Sequence, residues 1–306
     1  MKFSLLPWLA LFVITAALQN RRSRQGSSFD INTYKQKNII SCSPDWKIIK
    51  QFMEDVDIPP MPGAGKYQWK IAVKNDSARF YFNQGINMYY GFHIIEAMAS
   101  FKKATKFEES NPMVWWGQAL AYGPNINDGI YAVAPEALKA VEKAMNLSQD
   151  GSGVEKLLIH AMSVRYSSDS LLTRQKLNHD YTLAMENIYL KHPADPDIAA
   201  LYADAMMLEH PWDLWNVDGT PQPWTPRIRK VLETGLTKTP DHPGMNHYYV
   251  HVMEPSPFPE KALASANRLG KLNPGLSHIV HMPSHIYLRT GNYSKGFAVN
   301  EEALTQ

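Results

Sequence analysis

His247-Tyr-Tyr-Val-His251-Val-Met-Glu254 and Ser277-His-Ile-Val-His281-Met-Pro-Ser-His285 are the two stretches on which the reading of this chain turns. They recur at a fixed offset. His247 and His281 stand 34 positions apart, as do His251 and His285, and as do Pro240 and Pro274. Within each stretch the spacing is helical. At about 100° of turn per residue, His251 lies about 40° and Glu254 about 20° from His247, while His281 and His285 lie within about 60° of His278. Each stretch therefore places its histidines in one stripe, and the offset puts the two stripes at equivalent places on successive units.

Working outward, the same texture extends back to about residue 70. Ala, Leu, Met, Glu and Lys recur at helical spacing, Pro, Gly and Asn punctuate them, and strand-like alternation is missing. A period of 34 is that of the tetratricopeptide repeat, a pair of antiparallel helices that stacks on its neighbours. Small residues recur where such helices must approach closely: Gly85, Ala97 and Ala104 in one unit, Gly117, Ala137 and Ala144 in the next, Ala262 and Ala266 near the end. The expected fold is all-α, a right-handed superhelical solenoid of antiparallel helix pairs over residues 66–306. Two inserts break the period, one between Gly117 and Ala137 and one around Trp212 to Pro226. Loops on a repeat scaffold often carry function.

Composition narrows the classes. The 306 residues are 44% hydrophobic and 20% charged, with a net charge of +2, so neither a disordered polymer nor a nucleic-acid binder fits. One cysteine, Cys42, excludes an intramolecular disulfide and a cysteine-built zinc cage. Lys2 followed by an apolar run from Phe3 to Leu18 reads as a signal peptide over residues 1–20. Arg21, Arg22 and Arg24 oppose translocation, so an uncleaved signal-anchor that tethers the chain to a membrane is the alternative. Residues 21–65 are expected to form a polar leader. The expected location is periplasmic or extracellular.

Four blocks carry a family resemblance. They are Tyr81-Phe-Asn-Gln-Gly-Ile-Asn-Met-Tyr-Tyr-Gly-Phe92 with Glu96-Ala97 and Ser100-Phe101, Trp115-Trp-Gly-Gln-Ala-Leu-Ala-Tyr-Gly-Pro-Asn-Ile-Asn127, His247-Tyr-Tyr-Val-His251, and His278-Ile-Val-His-Met-Pro-Ser-His-Ile-Tyr287. Together they resemble a bacterial family of exported tetratricopeptide-repeat proteins whose function is poorly defined. The resemblance implies an exported repeat protein and brings no reaction with it. Where that family reads Phe-Asn-His, this chain has Phe92-His93-Ile94, its histidine shifted by one. The family is also longer, so the repeat array is expected to be truncated and its last helix to expose apolar surface.

Five of the 11 histidines, His247, His251, His278, His281 and His285, fall in a window of 39 residues. Neutral imidazole ligates zinc, copper or iron, and helices pack with axes roughly 8–10 Å apart, so imidazoles on adjacent helices can converge. His247, His251, His281 and His285 are the expected ligands. His278 is expected as an outer ligand or ligand partner, and Glu254 as a ligand or general base. Pro283 disturbs the second stripe by removing a helix hydrogen bond. Two functions follow. One is an exported scaffold that binds a protein, peptide or small ligand in its concave groove and carries a metal site there. The other is a metal-dependent hydrolase or oxidase on the same scaffold. His93, Asp204, His210, Trp212 and Asn125 are weaker candidates for the groove. The chain contains no phosphate loop, dinucleotide fingerprint, nucleophile elbow or zincin motif.

Overall fold

The computed structural model describes residues 57–127, 135–150 and 153–306. The expected export segment, Cys42, the leader up to residue 56 and part of the first insert lie outside them. Among the described residues the chain is helical and has no strand, and one isolated bridge joins Trp215 to Pro221. In order the helices are α1 (Asp76–Tyr90), α2 (Ile94–Phe107), α3 (Pro112–Ala121), α4 (Pro135–Leu147), α5 (Gly153–Val164), α6 (Arg174–Lys191), α7 (Pro196–Glu209), α8 (Thr225–Lys238), α9 (Pro243–Met253), α10 (Leu263–Leu272), α11 (Ser277–His281), α12 (Pro283–Arg289) and α13 (Tyr293–Ala303).

Their starts follow from local chemistry. Asn75 caps α1, its side chain accepting from the amides of Ser77 and Ala78 at 2.9 and 3.1 Å. Asn111, Asp195 and His242 cap α3, α7 and α9 in the same way, each just before a proline at the first helical position. Proline fits there because its missing N–H would have had no partner in the helix.

Each helix packs on its successor along most of the chain, and alternate helices also touch: α1 with α3, α3 with α5, α7 with α9. Small residues make this possible. The ring of Phe101 on α2 lies between Gly85 of α1 and Gly117 of α3, where an added Cβ would come within 2.8 and 2.4 Å of it. Phe101 is fully buried, and truncating such a ring costs about 3–5 kcal/mol. The helix α9 additionally meets α1, so a late hairpin lies against the first. That contact brings the end of α1 to the histidine helix.

Residues 57–75 precede α1 without helix and are bound into the helical unit. Those at 57–65 were expected in the polar leader, yet Ile58 and Ala64 are buried. The Trp69 amide donates to Asn83 of α1 at 2.7 Å, the Ala72 amide to Glu155 of α5 at 2.7 Å, and the Tyr67 hydroxyl to Asp197 of α7 at 2.7 Å. The Gly275 amide donates to the Gly63 carbonyl at 2.9 Å. At the other end, α13 leaves Tyr293 and Phe297 exposed. Among the described residues no helix is long and apolar enough to cross a membrane.

Candidate metal centre

All eleven residues of α9 are buried, so the helix has no solvent face. Its two histidines, His247 and His251, therefore carry their imidazoles into the interior, four residues and one helical turn apart. His247 is fully buried and His251 nearly so. From α11, His278 completes the group: one ligand nitrogen from each of His247, His251 and His278 lies within 4.8 Å of the others, a set able to hold a metal ion. His247 Nε2 is 3.0 Å from His278 Nε2 and 3.0 Å from His251 Nε2. A tetrahedral zinc with nitrogens at 2.0–2.1 Å sets them about 3.3 Å apart, so small ring shifts suffice.

The protons of this group can be counted. His247 Nδ1 lies 2.6 Å from the backbone carbonyl of Tyr90, which only accepts, so Nδ1 carries the proton. His251 Nδ1 lies 3.0 Å from Glu254 Oε1 and donates to it. A neutral imidazole has one N–H. Both Nε2 atoms are then bare lone pairs facing each other at 3.0 Å, a contact that a cation between them makes favourable, while the nearby His278 Nε2 can offer His247 Nε2 either a lone pair or an N–H. A proton is disfavoured there. Burial, with the neighbouring His251 adding to it, pushes His247 well below its ordinary range; burial pushes His251 down although Glu254 opposes it; burial and His247 push His278 well down. Burial alone would raise Glu254, but the hydrogen bonds from His251 and His285 outweigh it and hold the carboxyl at about 2.

Two aromatic residues wall the group, and both hold a backbone conformation that side chains other than glycine seldom take. Phe92 has φ 55° and Trp212 φ 61°, the two non-glycine residues with positive φ among those described. The Phe92 ring is 4.5 Å from His247, 5.7 Å from His251 and 5.5 Å from His278. The Trp212 ring stands edge-on to His251 at 5.2 Å. Such residues cost about 1–3 kcal/mol each and gather at functional sites. Trp212 belongs to the second insert, whose Trp215 indole donates to the Val252 carbonyl of α9 at 2.7 Å.

The other expected residues divide. His281 and His285 do not join the three-histidine group. They pair with each other, Nε2 to Nε2 at 2.9 Å. Glu254 binds through both oxygens, to His251 and His285 Nδ1, which gives it an orienting place rather than that of a free base. His93 lies beside Phe92, its Nδ1 3.6 Å from Glu96 and its Nε2 buried without a hydrogen bond. Asp204 instead accepts from the Tyr89 hydroxyl at 2.7 Å, and His210 stacks on Trp224 at 3.6 Å, neither in the group. Asn125 caps its own turn through the Asn127 amide. Phe92 and the Tyr90 carbonyl carried no signal at the level of sequence, since both depend on the contact between α1 and α9. No family model matches the chain, and no curated protein matches it.

Proposed function

We propose that this is an exported metalloprotein on a tetratricopeptide-like helical scaffold, holding one divalent transition-metal ion between His247, His251 and His278. The observation that carries the reading is the pair of Nε2 lone pairs 3.0 Å apart, each imidazole pinned by an Nδ1 donor bond. Binding to a carbonyl and a carboxylate at Nδ1 is how protein zinc ligands are oriented. Nitrogen-only donors suit zinc, copper, iron or nickel. The consecutive hairpins, and helix starts at Pro243 and Ser277, 34 apart, support the repeat scaffold. Residues 57–75 bind along α1, α5 and α7, which favours metal binding over capture of a second peptide on those helices.

The test is elemental analysis of full-length protein loaded with zinc and desalted. One tightly held equivalent is expected, lost in His247→Ala with His251→Ala. At free zinc 100 times Kd the ion adds about 2.7 kcal/mol of stability. Zinc-free wild type, or undiminished zinc in the double variant, would overturn the reading.

A second reading, a hydrolytic enzyme, is favoured by the ligand count. Three histidines leave a tetrahedral ion one position for water, and such water ionises near neutral pH. Release of p-nitrophenol from p-nitrophenyl acetate by the zinc-loaded chain, absent from the double variant, would establish it. Equal rates in both would remove it.

A further inference from the structure

Glu254 sits between two histidine pairs that mirror each other. Its Oε1 accepts from His251 Nδ1 and its Oε2 from His285 Nδ1. Beyond His285, His281 Nε2 lies 2.9 Å from His285 Nε2, and His281 Nδ1 lies 2.7 Å from Asn300 Oδ1 of α13. The chain of contacts runs from the Tyr90 carbonyl through His247, His251, Glu254, His285 and His281 to Asn300. Four neutral imidazoles bring four N–H groups, and the four Nδ1 contacts use them all. Both Nε2 junctions, at 3.0 Å and 2.9 Å, are left with facing lone pairs.

We propose that His281 and His285 form a second, weaker site for a divalent transition-metal ion, separate from the three-histidine centre and linked to it through Glu254. This extends the metal reading above and rests on it for the class of ion. The two residues stand four apart, the spacing at which helical histidines chelate one ion. The break at Pro283 does not spoil it, because the His285 amide donates to the Met282 carbonyl at 3.2 Å and Met282 keeps right-handed helical angles. The His285 side chain is 34% exposed, so water completes the coordination and the ion exchanges readily. Ring centres are 6.3 Å apart for His251 and His285 and 6.4 Å for His278 and His281. The sites are thus neighbours, and the shared element is the carboxylate that accepts from a ligand of each.

One rival account needs no ion. If the Asn300 amide is turned, its NH2 donates to His281 Nδ1, the proton moves to Nε2, and His281 donates to His285. Asn300→Asp separates the accounts, because a carboxylate only accepts and fixes the Nε2 lone pair toward His285.

The experiment is equilibrium dialysis of the full chain against graded free Zn²⁺, with zinc counted per chain. Wild type is expected to take two equivalents of different affinity. His281→Ala with His285→Ala keeps only the tighter one, His247→Ala with His251→Ala only the weaker. Asn300→Asp tightens the weaker class by about tenfold or more. His285→Gln, whose amide still donates to Glu254, loses the weaker class without losing the network, which guards against misfolding. Saturation of wild type at one equivalent, or a second equivalent that survives in the His281/His285 double variant, overturns the proposal. Failure of the three-histidine reading looks different: the tight class is absent from wild type or survives the loss of His247 and His251.

Discussion

The two histidine pairs have the same four-residue spacing and share one carboxylate, yet their settings differ. His247 and His251 lie on one unbroken helix that is buried all round, with a third imidazole arriving from α11. His281 and His285 straddle Pro283, are half-buried, and among the described residues gain no third histidine. Spacing gives both pairs the geometry of a chelate. On the metal reading proposed above, burial and the third ligand would decide how tightly each holds an ion. A buried lone-pair contact has no water to relieve it, whereas an exposed one does.

Acid strains this difference most. In the metal-free protein His247, His251 and His278 sit below their ordinary pKa, chiefly through burial. Unfolding returns them to about 6.5. Below that pH the unfolded chain takes up protons that the folded chain refuses, so stability falls as pH drops from 7 to 5. Each group contributes up to about 1.4 kcal/mol per pH unit. Glu254, held at about 2, acts in another window: its contribution is full above about 4.5 and is lost only as pH falls from there. Urea midpoints of the metal-free protein across pH 7 to 5 should decline steeply, and His278→Ala should flatten the decline. A level profile would contradict the burial of neutral imidazoles.

Next in size is Glu254→Gln, which touches both pairs at once. An amide has one acceptor oxygen and cannot take both Nδ1 protons. Zinc affinity should drop about 10–100-fold, the usual cost of losing a ligand's orienting partner. Competition with a chromophoric chelator would measure it. A loss confined to one class of zinc would mean that the carboxylate does not couple the pairs.

Much of this was legible in the sequence, for identifiable reasons. The 34-residue offset and the helical stripe of His247, His251 and Glu254 arise from local periodicity, and local periodicity survives folding. How His278, His281 and His285 divide, the first beside His247 and the other two paired with each other, was not legible. Their assignment depends on the turn made between α11 and α12, where Pro283 begins a new helix after Met282. The sequence announced a break there but not its direction, and the direction put His278 beside His247. The binding of residues 57–75 was hidden because their partners lie far along the chain: the Tyr67 hydroxyl donates to Asp197, 130 positions away, and the Ala64 carbonyl accepts from the Asn273 side chain, 209 away. Nor does any local pattern force positive φ on Phe92 or Trp212.

The smallest expected effect separates those two walls. Phe92 is 4% exposed and touches three imidazoles, so relieving its backbone would also empty a packed site. Trp212 is 50% exposed and covers only the edge of His251. Asparagine tolerates positive φ better than tryptophan, so Trp212→Asn trades lost ring contact for relieved strain. Metal-free stability should stay within about 1 kcal/mol of wild type. Zinc release from the three-histidine centre should nonetheless quicken, because water reaches His251 once the indole is gone, while release from His281 and His285 should not change. Stopped-flow capture of zinc by excess chelator resolves the two phases. An unchanged slow phase would mean that Trp212 is strained for some purpose other than shielding the ion.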